Sequence, residues 1–140
     1  MAQTSFFLVD DDEVDVMTVK RAFKKNNITN RLDIATNGLE ALAMLRSKDL
    51  PKLAANQRRI ILLDLNMPKM GGIEFLRELR ADSELKSIPV IVLTTSNEDK
   101  DKVEAYNLNV AGYILKPVTF GKFVETMAKL NEYWSIMQMP

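Results

Sequence analysis

The chain has 140 residues, and its 19 basic and 19 acidic side chains cancel, so no net field draws it toward nucleic acid or an anionic membrane. It contains no cysteine and no histidine, which excludes thiol chemistry, disulfides, a Cys/His zinc site and any histidine base, and leaves hard oxygen ligands. A length of this order suits one domain, expected over residues 1–140, with no room for a second folded output domain.

Phe6-Phe7-Leu8-Val9 predicts a strand near residues 5–10 that runs into Asp10-Asp11-Asp12, and a helix follows from Asp12 to about Asn26. Asp12, Glu13 and Asp15 suit the positive end of that helix, and Lys20, Arg21, Lys24 and Lys25 suit its negative end. Leu32, Ile34 and Thr36 alternate with Asp33 and Ala35 as a short strand, and Gly38 opens a helix carrying Leu39, Leu42, Ala43 and Leu45. Residues 47–59, with Pro51 and several polar side chains, read as an irregular surface insertion with some helical character. A third strand runs from Arg59 to Asp64, and after Gly71-Gly72 a helix places Phe75, Leu76 and Leu79 on one face. Pro89 to Thr94 is almost wholly apolar, as in the middle of a parallel sheet covered on both faces. The polar stretch Asn97 to Asn107 makes a helix with few apolar anchors, mainly Val103 and Tyr106, and is expected to be weakly held. Ala111 to Leu115 forms a fifth strand, and a last helix begins at about Thr119. Five β/α units predict an α/β fold with a doubly wound, five-stranded parallel sheet of the flavodoxin-like type.

In such a sheet ligands bind at the carboxyl ends of the strands. Asp10, Asp11 and Asp64 follow apolar runs there, and so do Thr94 and Lys116. Like charges brought into one pocket repel unless a cation intervenes, and Mg²⁺ takes one or two carboxylates and completes its shell with water or phosphate oxygens. The EF-hand spacing of a Ca²⁺ loop is absent. An aspartate can also attack phosphorus to form an acyl phosphate, with Lys116 and Thr94 suited to contact two phosphoryl oxygens. Each residue alone has a bland reading, Lys116 as a solvated loop residue and Thr94 as a strand end. Their coincidence at four strand ends favours the functional one.

Val9-Asp10-Asp11, Leu63-Asp64-Leu65-Asn66-Met67-Pro68-Lys69-Met70-Gly71-Gly72, Leu93-Thr94-Thr95 and Gly112-Tyr113-Ile114-Leu115-Lys116-Pro117 resemble, in order, the successive motifs of bacterial response-regulator receiver domains. The resemblance covers nearly the whole chain. It implies that Asp64 accepts a phosphoryl group from the phosphohistidine of a sensor histidine kinase in a two-component system. It further implies that Asp11, Asp64 and the Asn66 backbone carbonyl hold Mg²⁺, or Mn²⁺ in its place, with Asp10 acting through water. Lys116 would pair with the phosphoryl group, Thr94 would swing toward it, and Tyr113 would follow inward. The face formed by the helix after Thr94, the fifth strand and the last helix would thereby be reshaped. Beyond accepting the group and slowly hydrolysing it, such a domain is no enzyme. Thr95 and Val118 depart from the commonest pattern, a small residue and an aromatic respectively, and a bulkier Thr95 would narrow access to Asp64. Asn66 and Ser96 are expected to flank the water that attacks the acyl phosphate.

Phe120, Phe123, Val124 and Met127 make a stripe that the sheet is expected to bury, and the last helix continues through Leu130, Tyr133, Trp134, Ile136, Met137 and Met139. From Thr119 to Met137 it would run ~28 Å, longer than a typical strand of ~17–20 Å. Its far end either folds over its own core or serves a homodimer or kinase contact. The long loop and aromatic-bearing tail are similar to single-domain regulators that accompany bacterial and cyanobacterial phytochromes, which implies a bacteriophytochrome-type kinase as partner. Output would pass to a downstream protein or a phosphotransfer partner. No apolar run approaches the ~20 residues of a membrane span and no secretion signal opens the chain, so a cytoplasmic location away from the membrane is expected. Two rivals are a phosphorylation-independent scaffold and an aspartyl phosphatase of the haloacid dehalogenase type. Asp10-Asp11-Asp12-Glu13-Val14 satisfies the latter's nucleophile pattern, but no acidic pair follows Lys116.

Overall fold

Side chains alternate across a strand, and where both sets are apolar the sheet must be covered on each side. The computed structural model describes residues 3–47, 57–65, 67, 70–94, 103, 107–115 and 119–136. Its strands are β1 (Gln3–Val9), β2 (Leu32–Ala35), β3 (Gln57–Asp64), β4 (Val90–Thr94) and β5 (Gly112–Leu115). The described helices are α1 (Glu13–Lys25), α2 (Gly38–Arg46), α3 (Gly72–Ala81) and α4 (Phe120–Ile136). All strand pairs are parallel in the order β2-β1-β3-β4-β5, the doubly wound flavodoxin-like order expected from the sequence. The chain leaves β1 for β2 on one side and then crosses to β3 on the other. That reversal sets the ligand crevice of such a sheet at the carboxyl ends of β1 and β3.

Phe7, Val9, Ile61, Leu63, Val90 and Val92 pack against Leu42 and Leu45 of α2 and Phe75, Leu76 and Leu79 of α3. Their neighbours Phe6, Leu8, Ile60, Leu62, Ile91 and Leu93 face Val19, Ala22 and Phe23 of α1 and Phe123 and Met127 of α4. Ile60 to Leu63 are fully buried in succession. Each contributes about 1.5–3 kcal/mol relative to an exposed side chain, so β3 is the mechanical centre of the molecule. Phe6 and Phe23 meet edge to face with ring centroids 4.9 Å apart.

Some boundaries differ from the sequence expectation. β1 and β3 begin at Gln3 and Gln57, earlier than their apolar runs, and residues 57–59 belong to the sheet rather than to the irregular insertion. Gln3 pairs with Gln57 and Thr4 with Arg58, so the backbone ladder extends through polar residues. Residues 48–56 of the insertion lie outside the described residues. Of the expected Asn97–Asn107 helix, Val103 is described as helical, and its buried side chain joins the α2–α3 core; Tyr106 lies outside. α4 starts one residue late because the Thr119 hydroxyl accepts the Lys122 amide at 3.2 Å and closes the helix start from outside.

Four polar devices fix the packing. Asp12 caps α1 by accepting the Val14 amide at 2.8 Å, and at the other end Asn26 donates through its side-chain amide to the Val124 carbonyl of α4. The Gly72 amide donates to the Leu65 carbonyl at 3.1 Å. A Cβ at Gly72 would lie 2.5 Å from Leu65 Cα and 2.9 Å from the Asp64 carbonyl oxygen, so only glycine lets α3 start against the end of β3. At the end of α3, Arg80 donates to the carbonyls of Leu108 (2.7 Å), Lys86 (2.9 Å), Ile88 (2.8 Å) and Asn109 (2.6 Å). It thereby ties the segment entering β4 to the segment entering β5.

Candidate functional site

The β1–β3 register pairs Val9 with Leu63. One step further along each strand stand Asp10 and Asp64, so two carboxylates arrive side by side where the winding reverses. Asp10 is fully buried and Asp64 is 6% exposed. The Asp10 amide donates to the Ala35 carbonyl at 3.0 Å, holding the end of β1 to β2. Its Oδ1 accepts the Asp12 amide at 2.9 Å, and Asp12 in turn caps α1. The tripeptide Asp10-Asp11-Asp12 is therefore a built turn from strand to helix, in which Asp10 and Asp12 have backbone partners and Asp11 is exposed.

The first turn of α1 adds a half-buried carboxylate, Asp15. Asp10, Asp15 and Asp64 each offer an oxygen, and these oxygens lie within 4.8 Å of one another. At that spacing two unit charges repel by about 3.5 kcal/mol at an effective dielectric constant of ~20. A hard dication is the natural counter-charge for such a donor set, which is oxygen only in a chain without cysteine or histidine.

β4 and β5 end at the same level. Asp64 pairs with Leu93, and Thr94 pairs with Leu115. The Thr94 backbone thus lies one residue beyond the partner of Asp64, while its side chain lies outside the described residues. Asn66, Lys116, Thr95, Ser96 and Val118 lie outside them too. Tyr113 pairs with Val92 on β4 and packs, partly buried, on the core face that includes Val103. It lines two hollows, one of about 300 Å³ with Val103, Leu108 and Val110, the other of about 400 Å³ with Ile91, Ile114 and Leu130. Of the tail stripe, Phe123 and Met127 are buried and Val124 and Leu130 pack beside them, whereas Phe120, expected in the buried stripe, is 44% exposed on the first turn of α4. The side chains from Tyr133 onward lie outside the described residues, and so does any dimer patch they form.

Of the acids singled out in the sequence, the structure brings Asp10 and Asp64 together, with Asp11 exposed on the rim. By sequence alone Asp15 has only the role of a helix-dipole acid. Its position held a signal: Asp15, Val19 and Ala22 follow the i, i+4, i+7 spacing, and Val19 and Ala22 are buried. An acid on the inward stripe, one turn from a strand end that carries another acid, points into the same crevice.

The family model of the response regulator receiver domain matches residues 6–128. The chain is 36% identical over 132 residues to the probable methanogenesis regulatory protein FilR2 of Methanothrix harundinacea, covering 91% of this chain and 81% of that protein. It is 34% identical over 127 residues to the response regulator Rcp1 of Synechocystis, covering 91% and 86%. The Mn²⁺-bound form of Rcp1 matches with a TM-score of 0.75 at 33% identity, covering 99% of each chain. The phosphorylated cyanobacterial phytochrome response regulator RcpA matches with a TM-score of 0.79 at 32% identity, covering 100% of this chain and 99% of that one. Among the described residues no helix is long and apolar enough to cross a membrane.

Proposed function

Because the chain belongs to the response-regulator receiver family and resembles its phytochrome-associated members, we propose that Asp64 is its phosphoacceptor, charged by a sensor histidine kinase. The observation that carries this reading is the side-by-side arrival of Asp10 and Asp64 at the switch point of the sheet. A carboxylate oxygen of Asp64 attacks the phosphorus of a phosphohistidine. The new O–P bond forms as the N–P bond breaks, and the imidazole keeps the electron pair. Asp64, 6% exposed at the end of a strand flanked by β1 and β4, is held in place for that attack.

Asp11, Asp64 and the Asn66 backbone carbonyl would hold Mg²⁺, with Asp10 acting through water and Mn²⁺ as an alternative ion. The bound ion supplies charge neutralisation for the phosphoryl oxygens. Lys116 pairs its ammonium with one of those oxygens and Thr94 donates its hydroxyl to another. Tyr113 then moves inward and changes the face made by β5, α4 and the segment containing Val103. The hollow lined by Val103, Leu108 and Val110, on the face where Tyr113 packs, supports that movement, since it leaves space beside the residue.

The partner class is a bacteriophytochrome-type kinase, the output a protein contact or a further phosphotransfer, the location cytoplasmic, and the tail of α4 the candidate dimer contact. No turnover of an external substrate is assigned beyond phosphoryl acceptance and slow self-hydrolysis. Intact mass after incubation with Mg²⁺ and a small phosphodonor, or a phosphorylated kinase, tests the reading in wild type and Asp64→Asn. One Mg²⁺-dependent phosphoryl adduct, lost in the variant, is expected. An adduct that survives in Asp64→Asn, or steady phosphate release that depends on Asp10 and not on Asp64, would overturn it in favour of a phosphatase.

A further inference from the structure

The acidic cluster contains one more carboxylate than the proposed function uses. We propose that Asp15, on the first turn of α1, is a fourth carboxylate of the cation site, beside Asp10, Asp11 and Asp64, and sets its affinity for a divalent metal; this rests on the reading that those three belong to such a site. Asp15 offers an oxygen within 4.8 Å of both. Opposed ligands of one Mg²⁺ lie about 4.2 Å apart at ~2.1 Å per bond, so oxygens at this spacing fit around a single ion directly or through one of its waters. Mg²⁺ takes only one or two carboxylates, so Asp15 acts on it through a bound water and through its charge.

Asp15 also comes from a rigid element. α1 begins on the Asp12 cap, which the Asp10 carboxylate itself holds through the Asp12 amide, and the helix is anchored by Val19, Ala22 and Phe23. A carboxylate on such a base is preorganised for an ion in a way that one on an exposed loop is not. Its first-turn neighbour Glu13 serves the helix dipole equally well but is exposed and stands outside the cluster. Two roles for Asp15 therefore make opposite forecasts. As a helix-dipole acid its neutralisation weakens the metal-free fold. As a member of a crowded anionic site its neutralisation relieves repulsion and strengthens that fold.

The test is isothermal titration of the full, unphosphorylated chain with MgCl₂ and MnCl₂, in wild type, Asp15→Asn, Asp64→Asn and Glu13→Gln, with thermal midpoints measured in a chelator. Asp15→Asn is expected to bind both ions at least about tenfold more weakly, within the 10–100-fold range of outer-shell ligands, and to melt higher than wild type without metal. Glu13→Gln should keep wild-type affinity. Asp15→Asn binding Mg²⁺ as tightly as wild type overturns the proposal. So does weaker binding accompanied by a lowered metal-free midpoint, which marks a damaged helix start. If wild type binds neither ion, or Asp64→Asn binds as well as wild type, the reading of the site itself fails and this proposal falls with it.

Discussion

Arg80→Ala should cost this domain about 2–4 kcal/mol, although the side chain is only partly buried. Arg80 makes four hydrogen bonds to carbonyls at 2.6 to 2.9 Å. A bond to a charged donor contributes ~1.5–3 kcal/mol at most, and water reaching the freed carbonyls reduces each loss to about 0.5–1 kcal/mol. At about 3 °C per kcal/mol for a chain of this size, the melting midpoint falls by ~6–12 °C. Burial lowers the guanidinium pKa, but arginine stays protonated at any working pH, so the loss should not vary with pH. Arg80→Lys should recover only about a third of it, because one ammonium cannot span four carbonyls as a planar fork does. Urea denaturation gives the free energies, and hydrogen exchange locates the damage. Faster exchange is expected at the Ala111 amide, which donates to the Val90 carbonyl at 2.7 Å where β5 joins the sheet. A loss below ~1 kcal/mol, with Arg80→Lys equal to wild type, would show that these bonds exchange with water at no cost and that the latch does not exist.

Gly72→Ala pushes a methyl into the Leu65 backbone and should cost ~1–3 kcal/mol and lower the yield of phosphoryl adduct at Asp64, read by denaturation and by intact mass; an unchanged adduct would separate this packing from the site. Met127→Ala, at a side chain 2% exposed between α4 and the sheet, should lose ~2–5 kcal/mol with an unchanged urea slope. The Glu84 amide leads the hydrogen bonds, including those from Arg46 and the Leu85 amide, that hold the Asp82 carboxyl below its ordinary pKa. A depressed folded pKa gives stability that is present above the unfolded value of ~3.9 and is lost as pH falls through the folded one. Stability against pH below ~4 should therefore fall less steeply in Asp82→Asn, and an identical acid limb would refute the linkage.

The strands were legible because Phe6–Val9, Ile60–Leu63 and Val90–Leu93 are unbroken apolar strings, which only a sheet covered on both faces can bury. The same strings located Asp10 and Asp64, since an acid directly after such a run must stand at the strand's exit. Gln3-Thr4 and Gln57-Arg58 carried no such signal, because backbone ladders are indifferent to polar side chains. Arg80 was illegible for a related reason. Its partners are main-chain carbonyls, which have no residue type to recognise, and two of them lie 28 and 29 residues away. Asp15 was legible in principle and was obscured by a competing rule, since an acid in a first helical turn already has a dipole explanation.

The positions of these two missed residues bear on how a change at Asp64 could travel. Parallel strands with returning helices put the end of α3, and hence Arg80, at the entry edge of the sheet, and the acids at its exit edge. β5 is only four residues long, Gly112–Leu115. Arg80 fixes the turn before it through the Leu108 and Asn109 carbonyls, and Thr94 meets Leu115 at its other end. A short strand clamped at its entry and next to the chemistry at its exit has little length over which to absorb a displacement. Tyr113, the second residue of that strand, lies where the two constraints meet. On the proposed reading, the clamp at Arg80 would pass a small rearrangement around Thr94 on to the Tyr113 ring.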